Sequence, residues 1–225
     1  MRNLKNRLYT VSTLVPNGAR VADIGTDHGH LPIYLTESGV SPFCLACDIK
    51  EKPLESAKEN IKKVGTLKVE TRLGPGLSPV FPDEVDCVTI AGMGGEVIAS
   101  ILEDCPWIKN GKYTLILQPM TSADALRRYL SENGFSIEKE IACEENRKVY
   151  TVMPVRFSGE DFTPDEVFCR VGKLTPDTPA AVKYIEKQKI IVEELIADRK
   201  AAGLDTECYD DILAKLLEIL DEEKT

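Results

Sequence analysis

At 225 residues, 43% of them apolar, the chain is long enough to bury one full core and leave a smaller appendage. No apolar run reaches the roughly 18 residues of a membrane span. The polar start MRNLKNRLYT lacks the apolar stretch of a secretory signal, so a cytoplasmic protein without membrane attachment is expected. A net charge of -9 counts against a polyanionic partner, yet residues 1–158 carry 19 Lys and Arg against 20 Asp and Glu, while residues 159–225 carry 9 against 17, so the acidity belongs to the tail.

The first twenty residues hold Arg2, Lys5, Arg7 and Arg20 and no acid, which makes either a local positive face or a solvated terminus. From there strand and helix signals alternate. RVADIG is a short apolar run ending in glycine, and the helix after it, about Leu31 to Ser38, closes on Gly39. PFCLACD is a second strand. KPLESAKENIKKVG is a helix with Pro53 in its first turn, Leu54, Ala57, Ile61 and Val64 on one face, and Gly65 as its stop. LKVETRL alternates as a third strand, and EVDCVTIAG, more continuously apolar, is expected at the centre of a parallel sheet. EVIASILED repeats at helical spacing, KYTLILQP is a fifth strand, and TSADALRRYLSENG is a helix with Thr121 or Ser122 as cap.

FSIEKEIAC and KVYTVMPVRF are joined by only EENR, too short for a helical crossover, so they are expected to pair antiparallel. A parallel sheet finished by an antiparallel hairpin resembles the class I S-adenosylmethionine-dependent methyltransferases, a Rossmann-like α/β class. Beyond Ser158 prolines and charge rise. Val182, Ile185, Val192 and Ile196, then Tyr209, Ile212, Leu213, Leu216, Leu217 and Leu220, form two apolar stripes around AAGLDTE and predict an antiparallel helical hairpin or coiled coil. The expected division is residues 1–158 and 159–225. The hairpin's faces either simply bury each other or also dock a large substrate.

The chemistry concentrates in VADIGTDHGHLPIYL. Ligands of open α/β sheets lie beyond the carboxyl ends of the strands. This turn lacks the Gly-x-Gly-x-x-Gly spacing and carries Asp23 and Asp27, which would repel a pyrophosphate and suit a cationic ligand. S-adenosylmethionine has a positive sulfonium and a zwitterionic tail. Asp23 is the candidate for its ammonium, and Gly25, Thr26, His28 and Gly29 for its methionine part. Asp48 follows Gly25 by 23 residues and is the candidate for the ribose hydroxyls, as it would also be for a nicotinamide dinucleotide. In RLGPGL, Gly76 and Leu77 are candidates for the adenine, held by backbone groups because Pro75 stands between two glycines. In IAGMGGEVI, Ala91, Gly92, Met93 and Gly94 are candidates for the place where methyl donor and acceptor meet, the alternative being a tight turn that merely needs small residues. No Asn-Pro-Pro-Tyr occurs, which disfavours transfer to an exocyclic amine.

Seven cysteines, scattered and odd in number, fit a reducing compartment. Cys44 and Cys47 form one C-x-x-C with no second pair, and His28 and His30 have no further ligands at metal spacing, so no metal is expected. His30 is expected at the surface or in packing.

Through Arg7-Leu8, VADIGTDHGHLP, ACDI, RLGPGL, IAGMGGEVI, LILQP and NRKVYTV, the chain resembles the bacterial tRNA (adenine(22)-N1)-methyltransferase family. The expected hairpin is similar to that family's C-terminal coiled coil. The family commonly has Asp where this chain has Pro75. The resemblance implies methyl transfer from S-adenosylmethionine to N1 of a tRNA adenine, with position 22 the expected target. Under it Asp27 is the catalytic candidate, stabilising the cationic product or accepting a proton, with a helix N-cap as its alternative role. Gln118 is the candidate to bond the acceptor base, Pro119 its wall, and Arg7 and Arg147, with Lys148, candidates for phosphate. The alternatives are a methyltransferase for another RNA, a metabolite or a protein, or a catalytically silent adaptor. No obligate protein partner is evident.

Overall fold

The computed structural model describes residues 4–221; Arg2 lies outside them. The strands run β1 (Val21–Ile24), β2 (Cys44–Asp48), β3 (Val69–Leu73), β4 (Cys87–Gly94), β5 (Thr114–Thr121), β6 (Phe135–Ile137), β7 (Ile141–Glu145) and β8 (Lys148–Phe157). They form one eight-stranded sheet in the order β3-β2-β1-β4-β5-β8-β6, with β7 paired to β8 off that path. The first five strands are parallel and β8 antiparallel, so the parallel block and its antiparallel finish are as the spacing required. β4 lies between β1 and β5, with its first four residues buried, which is why its sequence is apolar without alternation.

The crossover helices are α2 (His30–Glu37), α3 (Glu51–Val64), α4 (Gly95–Glu103) and α5 (Ala123–Glu132). α3 buries Leu54 and Ala57 and ends at Gly65, as its punctuation predicts. The expected side-chain cap on α5 is absent. Thr121 still belongs to β5, and Ser122 stands at the N-cap with φ 51° and no side-chain hydrogen bond.

Three departures from expectation have physical causes. The basic N-terminal stretch is a helix, α1 (Asn6–Leu14), which buries Val11 and packs beside β7 and β8; its β-branched Thr10, Val11 and Thr13 weaken the helical signal, and tertiary contact supplies what propensity does not. FSIEKEIAC is two strands, β6 and β7, because residues 138–140 stand opposite only Met153 and Pro154 of β8, and the extra residue turns Glu140 inward. The hairpin loop itself narrows to Asn146 and Arg147, both left-handed with φ 53° and 64°, the geometry of a two-residue primed turn.

The C-terminal part comprises α6 (Glu166–Val171), absent from the sequence reading, α7 (Pro179–Ala201) and α8 (Glu207–Asp221). Asp165 caps α6 through the Phe168 N–H at 2.7 Å, and Thr178 caps α7 through the Ala181 N–H at 3.2 Å. Ile185, Val192 and Ile196 are buried as expected, but Tyr184 takes the buried place instead of Val182, and Leu217 is 44% exposed. Their cluster also takes in Ala142 of β7 and Val149 of β8, so the helices bury the outer hairpin as well as each other.

A buried ion pair anchors this junction. Arg127 of α5 and Glu140 are fully buried and paired, with Nη2 donating to Oε2 at 2.7 Å and Nε to Oε1 at 3.0 Å. The remaining valences are met: Arg127 Nη1 donates to the carbonyls of Cys169 and Arg170 at 2.8 and 2.9 Å, and Glu140 accepts from the Thr151 hydroxyl and the Lys173 N–H at 2.6 and 3.2 Å. A buried pair is tolerated only when its hydrogen bonds are this complete. Arg127→Ala should therefore destabilise the protein by about 3–5 kcal/mol, because it strands a buried carboxylate. Urea unfolding measures this, and a loss under about 1 kcal/mol would contradict it.

Candidate functional site

The carboxyl ends of β1, β2 and β4 open on a cavity of about 860 Å3. Gly25, Asp48, Gly76, Leu77, Ala91, Gly92 and Met93 line it, drawn from the carboxyl ends of β2 and β4 and the loops after β1 and β3. The rim adds Ile49, Phe81 and Val97, which are 64%, 66% and 52% exposed, a group of large apolar side chains left in water around a concavity. Such a rim marks a surface that a ligand covers. The chain's single Trp, Trp107, and Lys50 also line the cavity. None of these five is among the candidates named from the sequence, although Ile49 and Val97 lie inside ACDI and IAGMGGEVI, because only the folded chain brings them to one rim.

The turn after β1 shows what kind of ligand fits. Gly25 and Thr26 both donate their N–H to the Cys47 carbonyl, at 2.8 and 2.9 Å, Gly29 donates to Thr26 O at 3.0 Å, and Asp27 donates to Asp48 Oδ2 at 3.3 Å. A phosphate cradle needs these donors free. Here they are spent on the protein, and the charged group that faces the cavity beside the turn is the Asp48 carboxylate. Gly25 has φ 74°, and a Cβ built on it would stand 2.2 Å from Met93 Cε, so only glycine lets the two loops meet. Behind the wall, the buried Thr26 hydroxyl acts on the Asp23 carboxyl.

Asp48 is held from two sides, its Oδ1 accepting the Lys50 N–H at 2.9 Å and its Oδ2 the Asp27 N–H. Asp23 lies deeper, 5% exposed, and accepts the Thr89 hydroxyl at 2.7 Å. Burial lifts its carboxyl from the ordinary 3.8 to about 6, assisted by the charge of Asp48 and opposed by hydroxyl hydrogen bonding and by Arg7.

Other expected positions fall elsewhere. Asp27 is left-handed at φ 53°, with 68% of its side chain exposed and its carboxylate 3.5 Å from His28 Nε2. It does not cap α2, whose N-cap is Gly29. His28 is exposed beside His30, ring centroids 5.5 Å apart, and is not part of the cavity wall. Gly29 is packed on Ala57, whose Cβ would lie 3.2 Å from a Cβ added there. Gly94 sits at the end of β4 against Thr121. Gln118, expected to reach a base, is fully buried: its Oε1 accepts Arg7 Nη1 at 2.7 Å and the Gly92 N–H at 3.0 Å, and its Nε2 donates to Pro119 O at 2.7 Å. Its amide is used up in holding the loop. Arg7, expected on phosphate, is likewise drawn inward, its side chain 15% exposed beside Glu145. Pro119 is buried and faces a second, smaller cleft with Tyr150 and Tyr184, while Arg147 is exposed at the hairpin tip.

Cys44 and Cys47 are buried in β2 and their thiols are pushed up to about 12 by that burial, so the C-x-x-C is inert packing. Among the described residues no group of three or more His, Cys, Asp or Glu is placed to hold a metal ion. Nor is any helix there long and apolar enough to cross a membrane.

Residues 4–153 match the family model described as a methyltransferase domain. A tRNA (adenine(22)-N(1))-methyltransferase of Bacillus subtilis is 37% identical over 172 residues, 76% of this chain and 72% of its own. The chain belongs to the tRNA (adenine(22)-N1)-methyltransferase family. The crystal structure of the B. subtilis m1A22 tRNA methyltransferase TrmK superposes with a TM-score of 0.79 at 31% identity, covering 99% of this chain and 97% of that one. M. capricolum TrmK in complex with S-adenosyl-homocysteine superposes at 0.75 with 26% identity, covering 99% of both chains. The methyltransferase fold and its C-terminal helices are thus shared along the whole length.

In this methyltransferase a carboxyl whose value is raised on folding contributes stability that is complete below the unfolded value and is lost as pH climbs through the folded one. For Asp23 that window runs from 3.8 to about 6. Relative to Asp23→Asn, the ligand-free protein should lose on the order of 3 kcal/mol between about pH 4 and pH 7. Urea unfolding of both proteins across that range tests this, and parallel stability curves would contradict it.

Proposed function

We propose that the protein transfers a methyl group from S-adenosylmethionine to N1 of adenine 22 in tRNA, the reaction in the name of its B. subtilis relative. The observation that carries this is the turn after β1, whose amide donors are consumed internally while Asp48 lines the cavity and Asp23 lies buried behind its wall. That arrangement rejects a pyrophosphate and accepts a sulfonium with an amino-acid tail. The residues fit the donor. Asp48 would take the ribose hydroxyls, each of its oxygens keeping a lone pair beyond the N–H it accepts. Gly76 and Leu77, with Trp107 across the cavity, would enclose the adenine, the backbone doing what an acid at Pro75 does elsewhere in the family. Asp23, with Thr26 beside it, would balance the ammonium, and Ala91, Gly92, Met93 and Gly94 would wall the transfer point.

The donor, when bound, supplies a methyl group on a positive sulfur. The acceptor nitrogen of neutral adenine carries an in-plane lone pair, so this chain needs no strong base to create a nucleophile, and rate comes chiefly from alignment. N1 lies on the Watson–Crick edge, so the adenine must leave its stack to be reached. Asp27 is our candidate for the charge that then develops on the base. Its left-handed backbone fixes the N–H on Asp48 and leaves the carboxylate in solvent near the cavity mouth. Arg147 and Lys148, exposed at the hairpin tip, are candidates for tRNA phosphate. Residues 1–158 would hold the donor and the chemistry, and residues 159–225 would dock the tRNA, in the cytoplasm.

Incubation with labelled donor and unmodified tRNA, followed by digestion to nucleosides, should yield N1-methyladenosine; label at N6, or none, would overturn the reading. Asp27→Asn keeps the backbone preference and removes the charge. It should slow turnover on the order of 100-fold while leaving S-adenosylhomocysteine affinity, read from Trp107 fluorescence, within about tenfold. Unchanged turnover would remove Asp27 from the site.

A further inference from the structure

A second cleft, of about 240 Å3, lies where the α/β part meets the C-terminal helices, between the carboxyl end of β5, the start of β8 and α7. It shares a wall with the donor cavity. Met93, which lines the donor cavity, is the sheet partner of Pro119, which lines the cleft, and Gly94 is in the same way the partner of Thr121. Neighbouring strands stand about 4.8 Å apart, so an occupant of the cleft lies beside the transfer point, on the side away from β2 and Asp48.

The cations of this cleft are unspent. Arg170 of α6 and Lys187 of α7 line it, and among the described residues neither side chain forms an ion pair or a hydrogen bond. Arg170 Nε is buried without a partner, while the Arg170 carbonyl accepts Arg127 Nη1 at 2.9 Å, which holds that end of α6 in place. A guanidinium so fixed is costly unless an anion completes it. α5 begins at the same cleft, and Ser122, left-handed at its N-cap with no side-chain bond, leaves the first-turn N–H groups uncapped. The acid lining the cleft is Asp124 of that turn, which is exposed and also borders the neighbouring depression containing Arg128. Two unpaired cations and a helix N-terminus outweigh one solvated carboxylate.

Resting on the tRNA methyltransferase reading, we propose that this cleft takes a phosphodiester of the substrate strand next to the target adenosine, held by Arg170 and Lys187. A strand phosphate fits better than a free one because the cleft adjoins the transfer point, where the backbone has to pass once the adenine has left its stack. Both cations belong to residues 159–225, which are acidic as a whole. The C-terminal helices thus grip the strand with the few positive groups turned toward the α/β part, while their acidity faces elsewhere.

Lys187 is exposed, so Lys187→Glu tests this without disturbing the core. Binding of unmodified tRNA is measured by filter retention between about 50 and 200 mM salt, and S-adenosylhomocysteine affinity by Trp107 fluorescence. Lys187→Glu should weaken tRNA by about 5- to 20-fold at the low-salt end and leave S-adenosylhomocysteine within about twofold. The double variant Arg170→Gln with Lys187→Gln should flatten the dependence of log affinity on log salt by about 1 to 2, which a merely structural role would not do. Should that variant be too unstable to titrate, Lys187→Gln alone should flatten the slope by about 1 and is scored the same way. Unchanged tRNA affinity, or weaker affinity with an unchanged slope, overturns the proposal. Displacement of tRNA by inorganic phosphate below about 1 mM also overturns it, marking a site for the free anion. If the unmodified protein binds no tRNA at about 50 mM salt, the tRNA reading itself fails; if it binds and methylates tRNA while the variants match it, this proposal alone does.

Discussion

A single carbonyl oxygen, Gln118 Oε1, holds the site together. The parallel ladder between β4 and β5 loses its register after Ala91, and the two shifts at Met93 and Gly94 leave the Gly92 N–H without a strand partner. Gln118, buried on β5, accepts that N–H and the Arg7 guanidinium at once. One side-chain amide thereby replaces the missing ladder bond, fixes the glycine-rich end of β4 as a wall, and ties the N-terminal helix to it. A buried amide so fully used is rigid, and rigidity of the surrounding shell is what alignment chemistry requires.

Charge is buried in this protein in two different ways. Arg127 and Glu140 form a saturated network in which every charged atom has a partner, and it joins α5 to the C-terminal helices without leaving unmet valence. Asp23 is the opposite case. Its carboxyl has only hydroxyls, Thr26 and Thr89, to oppose its burial at close range, and burial raises it toward neutrality. The first arrangement makes structure. The second leaves a carboxyl with little compensation for its burial, close behind the cavity wall.

Much of the α/β part was legible because its signals are local. Apolar runs ending in glycine, helices closed by Gly39 and Gly65, and a loop too short for a crossover each depend on neighbours in sequence, and the structure follows them. α1 was not legible, since its weak helical pattern is stabilised by β7 and β8, more than a hundred residues away. The break between β6 and β7 was hidden for a similar reason: it exists so that Glu140 can meet Arg127. Likewise Gln118 and Arg7 read as exposed contacts for RNA because polar residues usually face water, and only their mutual bond explains their burial.

The sequence by itself determined the order of elements, the acid-bearing turn that refuses a phosphate, and the family, because these rest on residue types at fixed short spacings. Tertiary structure alone decided which of the polar residues face the cavity and which are consumed in building it. A donor or acceptor is available to a ligand only if no distant part of the chain has already satisfied it, and that is settled when β4, β5 and α1 come together.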